Sequence, residues 1–336
     1  MNDEFLPIAL HASEHPRRQR EALLESLRAL RLPGKLLYQS PGQAQRWLDY
    51  HAAWSPSRTD AALQRLYGQA FSAAAAGLEA GACLLVGLGS GGGSKDADLL
   101  ERLAKARKGA PLHYAPLDAS PALVCEAALQ ARRRRPEVAL HPLVANVADA
   151  PVLEAWLEHA APGAVRVYSC LGMLPNLDVR AFPAWLAGLL RPRDALLVSA
   201  NLAPQHLGSD GARILLQYDN PPARAWYRGA LSELGIPPAA YALDVSARPL
   251  AEAEALGLSG ETAWQVAVRA ALREDVQITL YGEELRFPAG RRLEVFHSHR
   301  FTVAAAERVL QAAGLHVSQR WVGAAGEEGI FLCGRD

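Results

Sequence analysis

An apolar run, Cys83-Leu84-Leu85-Val86, leads directly into Gly87-Leu88-Gly89-Ser90-Gly91-Gly92-Gly93-Ser94-Lys95, and a second apolar run, Leu112 to Leu117, stops at Asp118. Glycine lets the backbone take left-handed conformations and lets a ligand approach it closely. The helix that follows such a turn offers unpaired N–H groups to anionic or polar atoms, and a carboxylate one strand later is placed to bind a ribose. The segment therefore implies a nucleotide-type cradle at the carboxyl edge of a parallel sheet.

The surrounding pattern agrees. Strand-like runs at 83–87, 112–117, 138–144, 165–170 and 195–199 alternate with amphipathic segments at 96–107, 121–134, 150–159 and 179–190. Alternation of this kind predicts right-handed crossovers and a parallel sheet covered on both faces. Ser120-Pro121 reads as an N-cap followed by proline at the first helical position, which puts Asp118 just outside a strand end. Residues before Gly81 read as helices broken at Pro33-Gly34-Lys35 and Trp54-Ser55-Pro56-Ser57. The stretch 201–290 fits the alternation poorly and reads as an inserted lobe with a helix at 222–234 and strands at 241–245, 264–272 and 277–281. A run at 293–296 is expected to return to the main sheet, followed by a helix at 303–313 and a terminal hairpin, 316–322 with 329–333.

Lys plus Arg equals Asp plus Glu, 35 each, so no overall field draws the chain to nucleic acid or to an anionic membrane. The expected partner is a small molecule. Cys83, Cys125, Cys170 and Cys333 lie far apart without a CxxC pair, which excludes a zinc knuckle and predicts reduced, structural thiols. The acidic start, Met1-Asn2-Asp3-Glu4-Phe5, lacks an apolar core of signal-peptide length, and a cytoplasmic location is expected. The Arg132–Arg135 run reads as a solvated helix end. His297 and His299 share one strand face and read as polar residues near the mouth of a site; no metal is expected.

By itself, Gly87-x-Gly89-x-x-Gly92, with Asp118 26 residues beyond Gly92, satisfies the dinucleotide fingerprint and leaves an NAD(P)-dependent oxidoreductase open. A glycine turn that binds nothing is the purely structural reading. Two details favour S-adenosylmethionine: Ser94 and Lys95 at the helix start suit a compact amino-acid carboxylate, and the chain closes in the strand-helix-strand-strand order of class I methyltransferase sheets.

Five segments, taken in order, carry a resemblance: Leu88-Gly89-Ser90-Gly91-Gly92-Gly93-Ser94-Lys95, Tyr114-Ala115-Pro116-Leu117-Asp118-Ala119-Ser120, Leu171-Gly172-Met173-Leu174-Pro175, Gln217-Tyr218-Asp219-Asn220 and Ser298-His299-Arg300-Phe301. They resemble the motifs LGSGxSxK, YxPxDxS, IGNxxP, YDD and SxKF of the L-histidine Nα-methyltransferase family of the ergothioneine pathway, across about residues 30–335. The resemblance implies a class I α/β methyltransferase with a Rossmann-like seven-stranded sheet, an inserted α+β substrate lobe and a helical N-terminal cap. The expected layout is a cap at 1–66, a cofactor-binding core at 67–200, the lobe at 201–290 and a return to the sheet at 291–336.

For the cofactor, S-adenosylmethionine, the resemblance assigns Gly87, Gly89, Ser90 and Gly91 to its methionine part, Lys95 to its carboxylate and Asp118 to its ribose. Asn146 stands where the family has an acid and can serve the adenine amine through its side-chain oxygen. For the acceptor the match breaks. Met173 stands where the family's asparagine holds the substrate amine, and Phe296 where a glutamate grips the imidazole; Ser298 is retained. Tyr38 and Tyr218 match tyrosines that bind the substrate carboxylate and shape the pocket, and are candidates to pass a proton. Trp54 aligns near a further tyrosine, and Asn176, three positions past Met173, is a candidate replacement for the lost amide. Each lost polar contact would cost about 1–3 kcal/mol of histidine binding. The expectation is methyl transfer, by resemblance to nitrogen, onto a small amine-bearing acceptor other than histidine. Structural roles for Tyr218, Trp54, Met173 and Phe296, and a non-catalytic cofactor-binding scaffold, are the alternatives.

Overall fold

The computed structural model describes residues 5–203, 207–258 and 262–335. Its core is a nine-stranded sheet in the order β1 (Ala9–Leu10), β5 (Leu143–Val144), β3 (Leu112–Asp118), β2 (Cys83–Leu88), β6 (Val165–Leu171), β7 (Ala195–Asn201), β14 (Glu328–Arg335), β13 (Leu315–Val322), with β4 (Ala139–Leu140) also on β3. The pairs from β1 to β7 are parallel, whereas β14 runs antiparallel to both β7 and β13. This is the class I methyltransferase arrangement, with one extra edge strand and a third strand in two pieces. Crossovers run through α5 (Ser94–Ala106), α6 (Pro121–Arg134), α7 (Glu154–Ala160) and α8 (Ala181–Leu189), and α11 (Val303–Ala312) precedes β13.

The single strand expected at 138–144 is split because His141-Pro142 interrupts it: proline has no N–H for the ladder. Pro142 instead lends its carbonyl to the Ala9 N–H, 2.9 Å away, which brings in β1 as an unforeseen edge. The caps are local and legible. Ser120 accepts from the Leu123 N–H at 3.3 Å with Pro121 behind it, and Asn220 does the same for Ala223 at 3.0 Å ahead of α10 (Pro221–Glu233).

The lobe holds a three-stranded antiparallel sheet, β12 (Arg292–Phe301), β9 (Ala263–Leu272) and β8 (Tyr241–Pro249), a hairpin of β10 (Val276–Leu280) and β11 (Glu283–Phe287), and the helices α9 (Leu207–Leu216) and α10. The return to the main sheet expected at 293–296 does not occur there. β12 pairs along all of β9, from Arg292 opposite Ala271 to Phe301 opposite Ala263, with a bulge between Glu294 and Phe296. A ten-residue strand finds a ten-residue partner in the lobe, and its far end meets the chain leaving β7 at an isolated bridge, Leu202 with Phe301.

The N-terminal helices α1 (Pro16–Arg28), α2 (Pro41–Trp54), α3 (Pro56–Thr59) and α4 (Ala61–Ala76) divide their contacts. Leu23, Leu24, Leu27 and Leu37 join the lobe core with Trp226, Tyr227 and Val268, whereas Leu63, Tyr67 and Phe71 of α4 pack with Leu85 and Val167 of the main sheet and Leu99 of α5. All four cysteines are free thiols. Among the described residues, no helix is long and apolar enough to cross a membrane.

The turn after β2 is closely packed. Gly93 has φ +72° and faces the backbone of Ala127 in α6, where an added Cβ would stand 2.5 Å from its Cα. Gly93→Ala is therefore expected to lower stability by about 1–3 kcal/mol, read from urea unfolding.

Candidate functional site

β2 delivers the chain, fully buried, to a turn in which Gly89 and Gly91 have φ of +64° and +52°. Neither has space for a side chain: a Cβ on Gly89 would lie 2.4 Å from the Met173 sulfur, and one on Gly91 2.6 Å from the Trp47 ring. Asp118, at the end of β3, closes the turn. Its Oδ2 accepts from the Gly91 N–H at 3.1 Å and its Oδ1 from the Ser120 N–H at 2.9 Å, which leaves lone pairs on both oxygens for further donors. Burial raises this carboxyl to about 6, against the pull of the backbone donors. The Ser90 hydroxyl in the same turn is buried without a partner among the described residues.

Beneath the turn lies a second buried acid that the sequence reading did not single out. Asp96, in the first turn of α5, accepts from Ser169 of β6 at 2.6 Å and from Tyr114 of β3 at 2.7 Å. An added Cβ on Gly87 would stand 2.2 Å from its Oδ2. Burial raises Asp96 to about 6, with Ser169, Tyr114 and Lys95 opposing. Lys95 is brought to the loop but is not free: its ammonium donates to the Tyr67 hydroxyl at 3.0 Å and stands 3.8 Å from Glu328, to which Tyr67 also donates. Burial lowers its pKa. Arg58 of α3, exposed, donates to the Ser94 hydroxyl at 2.6 Å and puts a second cation at the start of α5. Asn146 stands after β5, its side-chain oxygen accepting from the Ala148 N–H at 3.2 Å.

Over the loop runs a belt of rings. On α2, Trp47, Tyr50, His51 and Trp54 recur at helical spacing on one face. Trp47 covers Gly91 and stacks on His51 at 4.9 Å. Burial, then Lys95 and Arg58, lower His51 to about 3 and keep it neutral. Tyr38 stands edge-on to Trp47 at 5.9 Å and to Trp226 at 5.3 Å, and Tyr50 stacks on Trp226 at 5.7 Å. Phe296 of β12 completes the belt against Tyr218, Trp226 and Tyr227, at 6.2, 5.6 and 5.8 Å.

A polar network with a fixed proton direction backs this belt. Arg300, 2% exposed, donates to the Tyr218 oxygen at 3.2 Å, to the Leu202 carbonyl at 2.8 Å and to Gln217, all neutral partners. Asn201 donates to Tyr218 at 3.3 Å and to Ser298 at 3.0 Å. A hydroxyl offers one proton and two lone pairs. With both lone pairs of Tyr218 taken, its proton goes to the Ser298 oxygen, 3.1 Å away. Ser298 then accepts twice and has only its own proton left to give.

The profile of the histidine-specific, SAM-dependent methyltransferase family matches residues 19–224 and 239–335 of the chain. The chain belongs to this family. It is a SAM-dependent methyltransferase, and the nicotinamide reading of its loop falls away. No curated protein matches the chain. Solved structures similar to it include an S-adenosylmethionine-dependent methyltransferase from Clostridium acetobutylicum, 10% identical over 87% of this chain and 98% of that one, with a TM-score of 0.44. Two others are mitomycin 7-O-methyltransferase, 17% identical over 96% and 70% with a TM-score of 0.45, and 1,6-didemethyltoxoflavin-N1-methyltransferase of Burkholderia thailandensis, 13% identical over 88% of each with a TM-score of 0.41.

Seen as a SAM methyltransferase, the chain brings together most of the residues singled out in its sequence. The glycine turn can take a ligand close to its backbone, its buried Ser90 hydroxyl lacks a partner, and Asp118 keeps lone pairs to offer: the donor set fits a SAM-type ligand. Met173 lies against Gly89, Asn176 turns its amide N–H to the Gly172 carbonyl at 3.2 Å, and Tyr38, Tyr218, Phe296 and Ser298 share the belt and its network. Trp54 is the outlier, 39% exposed at the end of α2; Trp47, two turns earlier on the same face, has the place against the loop. The helical spacing of Trp47, Tyr50 and His51 was the available signal for them. Trp226, Tyr227 and Arg300 carry none that separates them from core residues. His297 bonds Glu294 at 3.1 Å, and among the described residues no group of three or more His, Cys, Asp or Glu is placed to hold a metal.

Asp118→Ala removes the acceptor that holds the Gly91 N–H and is expected to weaken S-adenosylhomocysteine binding about tenfold or more by calorimetry, the range of a hydrogen bond to a charged group. Asp96 carries a second expectation. Its pKa is about 6 in the fold against 3.8 ordinarily, so the fold holds its proton more tightly than the unfolded chain does. The stability this contributes is full below 3.8 and lost as pH rises through about 6. Urea unfolding across that window should show a shallower loss for Asp96→Asn than for the parent.

Proposed function

We propose that this enzyme methylates the amine of a small acceptor with an apolar or aromatic body, an amino acid or a close derivative, and that L-histidine is not its preferred substrate. The observation that carries the reading is Asn176. One N–H of its Nδ2 donates to the Gly172 carbonyl at 3.2 Å, while its Oδ1 is buried without a partner among the described residues. A lone acceptor beside Met173 and the glycine turn is complementary to an amine N–H, and it offers what the thioether of Met173 cannot.

The other end of the belt supports an acceptor with little polarity. Phe296 gives the imidazole no carboxylate, and the acid nearest to it on β12, Glu294, is engaged with His297 at 3.1 Å and Arg269 at 4.0 Å. An imidazole N–H buried against Phe296 would lose its water without gaining an acceptor, which costs about 1–3 kcal/mol.

When bound, S-adenosylmethionine supplies an electrophilic methyl group. Gly87, Gly89, Gly91 and Ser90 would border its methionine part, Asp118 its ribose and Asn146 its adenine. Lys95 and Arg58 share the helix start where its carboxylate would lie; Lys95 is already paired with Glu328, whereas Arg58 has no acid partner among the described residues. The chain's part in the reaction is alignment and exclusion of water rather than covalent chemistry. Asn176 would hold one amine N–H and so aim the lone pair, and the faces of Tyr38 and Trp47 tolerate the cation that develops. The amine reacts only when unprotonated. Tyr38 is a poor proton acceptor, because burial and then Asp118 push its phenol above the ordinary range. Tyr218 has committed its proton to Ser298. Neither tyrosine is suited to be the base named for it from sequence, and loss of the amine proton to water before closure is the simpler route.

The test is formation of S-adenosylhomocysteine with L-phenylalanine, L-tyrosine, L-tryptophan and L-histidine offered separately. An aromatic amino acid should exceed histidine in kcat/KM by about tenfold or more, and histidine as the best acceptor would refute the reading. Asn176→Leu should raise KM for the preferred acceptor about tenfold, while S-adenosylhomocysteine affinity stays unchanged.

A further inference from the structure

We infer that the hydroxyl of Tyr227 determines acceptor specificity, meeting a polar atom at the far end of the acceptor's apolar body. The inference rests on the reading of the aromatic belt as the acceptor site and goes one step past it.

Tyr227 lies in α10, is 0% exposed, and its hydroxyl has no hydrogen-bond partner among the described residues. Buried phenols nearly always have one, and an unpaired group in a packed interior calls for a cause. Its neighbours in the belt are satisfied: Trp226 donates to the Leu37 carbonyl, Tyr50 to the Gln217 carbonyl at 2.6 Å, and Tyr218 to Ser298 at 3.1 Å. The ring of Tyr227 stacks on Phe296 at 5.8 Å and 28°, at the position where the belt has no acid. Burial pushes its phenol well above the ordinary range, and the phenols of Tyr50, Tyr218 and Tyr38 push it further. The hydroxyl therefore keeps its proton and sits among the groups that border the acceptor. Two features meet beside Phe296: an apolar wall and one unspent hydroxyl. A plain hydrocarbon ring leaves that hydroxyl unpaired, whereas a ring tipped with a hydroxyl or an amine pairs it. Sites built around such a pairing discriminate strongly against the analogue that lacks it.

The test uses the enzyme saturated with S-adenosylhomocysteine and the probes L-phenylalanine, L-tyrosine and L-para-aminophenylalanine, titrated by calorimetry into the parent and into Tyr227→Phe. In the parent, at least one polar-tipped probe should bind about tenfold tighter than phenylalanine. In Tyr227→Phe that preference should collapse to near unity, with unchanged melting temperature and S-adenosylhomocysteine affinity. Equal binding of all three by the parent would overturn the inference, leave the apolar-acceptor reading intact and assign the hydroxyl to a buried water. A preference that survives Tyr227→Phe would overturn it as well. If none of the three binds while L-histidine does, the reading of the belt fails and the inference with it. The comparison within the parent stands on its own should the variant fail to fold.

Discussion

Everything at the donor end hangs on one buried carboxylate. Asp96 reaches from the first turn of α5 to Tyr114 on β3 and Ser169 on β6, and lies against Gly87 on the strand between them. Three neighbouring strands and a helix are thereby pinned at the point where the chain turns. The fold pays for this with the desolvation of an acid, relieved by two hydroxyl donors that hold the two oxygens in fixed directions. Because Asp96 fills the space a side chain at position 87 would need, the loop's first glycine is set by packing beneath the loop, and Gly89 and Gly91 by backbone conformation and by what lies above it.

The aromatic belt is built differently. Its members come from parts of the chain far apart in sequence: Tyr38 from the turn before α2, Trp47 and Tyr50 from α2, Trp226 and Tyr227 from α10, Phe296 and Ser298 from β12. Ring contacts give it shape, and one directed chain of hydrogen bonds from Arg300 gives it polarity. Arg300 acts here through Tyr218 and Ser298: a guanidinium cannot accept, so it forces the proton order of every hydroxyl in line with it.

How far the sequence could be read depended on whether an interaction was local. The alternation of strands and helices, the caps at Ser120 and Asn220, and the glycine turn closed by Asp118 are short-range events, and they appear where the residues put them. The failures are long-range. Nothing near 293–296 says that β12 will run to Phe301 along β9; that follows only from β9 being an equal partner in the lobe. Lys95 reads as a free cation at a helix start, yet Glu328, more than two hundred residues away, neutralises it. Asp96 looks like an ordinary first-turn acid on a helix N-terminus until β3 and β6 close around it. The resemblance points to Trp54, whereas the helical period of α2 sets Trp47 on the same face, two turns nearer the glycine turn.

The two halves of the candidate site are fastened in different ways. β12 is held by backbone bonds along β9, by Glu294 exchanging bonds with Leu30 and Leu32 at 2.9 and 2.8 Å, and by the bridge at Phe301. α2 covers the glycine turn with the side chains of Trp47 and Leu48. It is held by ring contacts and by side-chain hydrogen bonds, Gln43 to the Trp226 carbonyl at 3.0 Å and Tyr50 to the Gln217 carbonyl at 2.6 Å, whereas β12 is held by a ladder. α2 is thus the more lightly fastened of the two, and the Ser55-Pro56 corner joins it to α3. The cover over the glycine turn rests on side chains, whereas the place of Phe296 is set by backbone pairing, so the two halves of the candidate site answer to different kinds of bond.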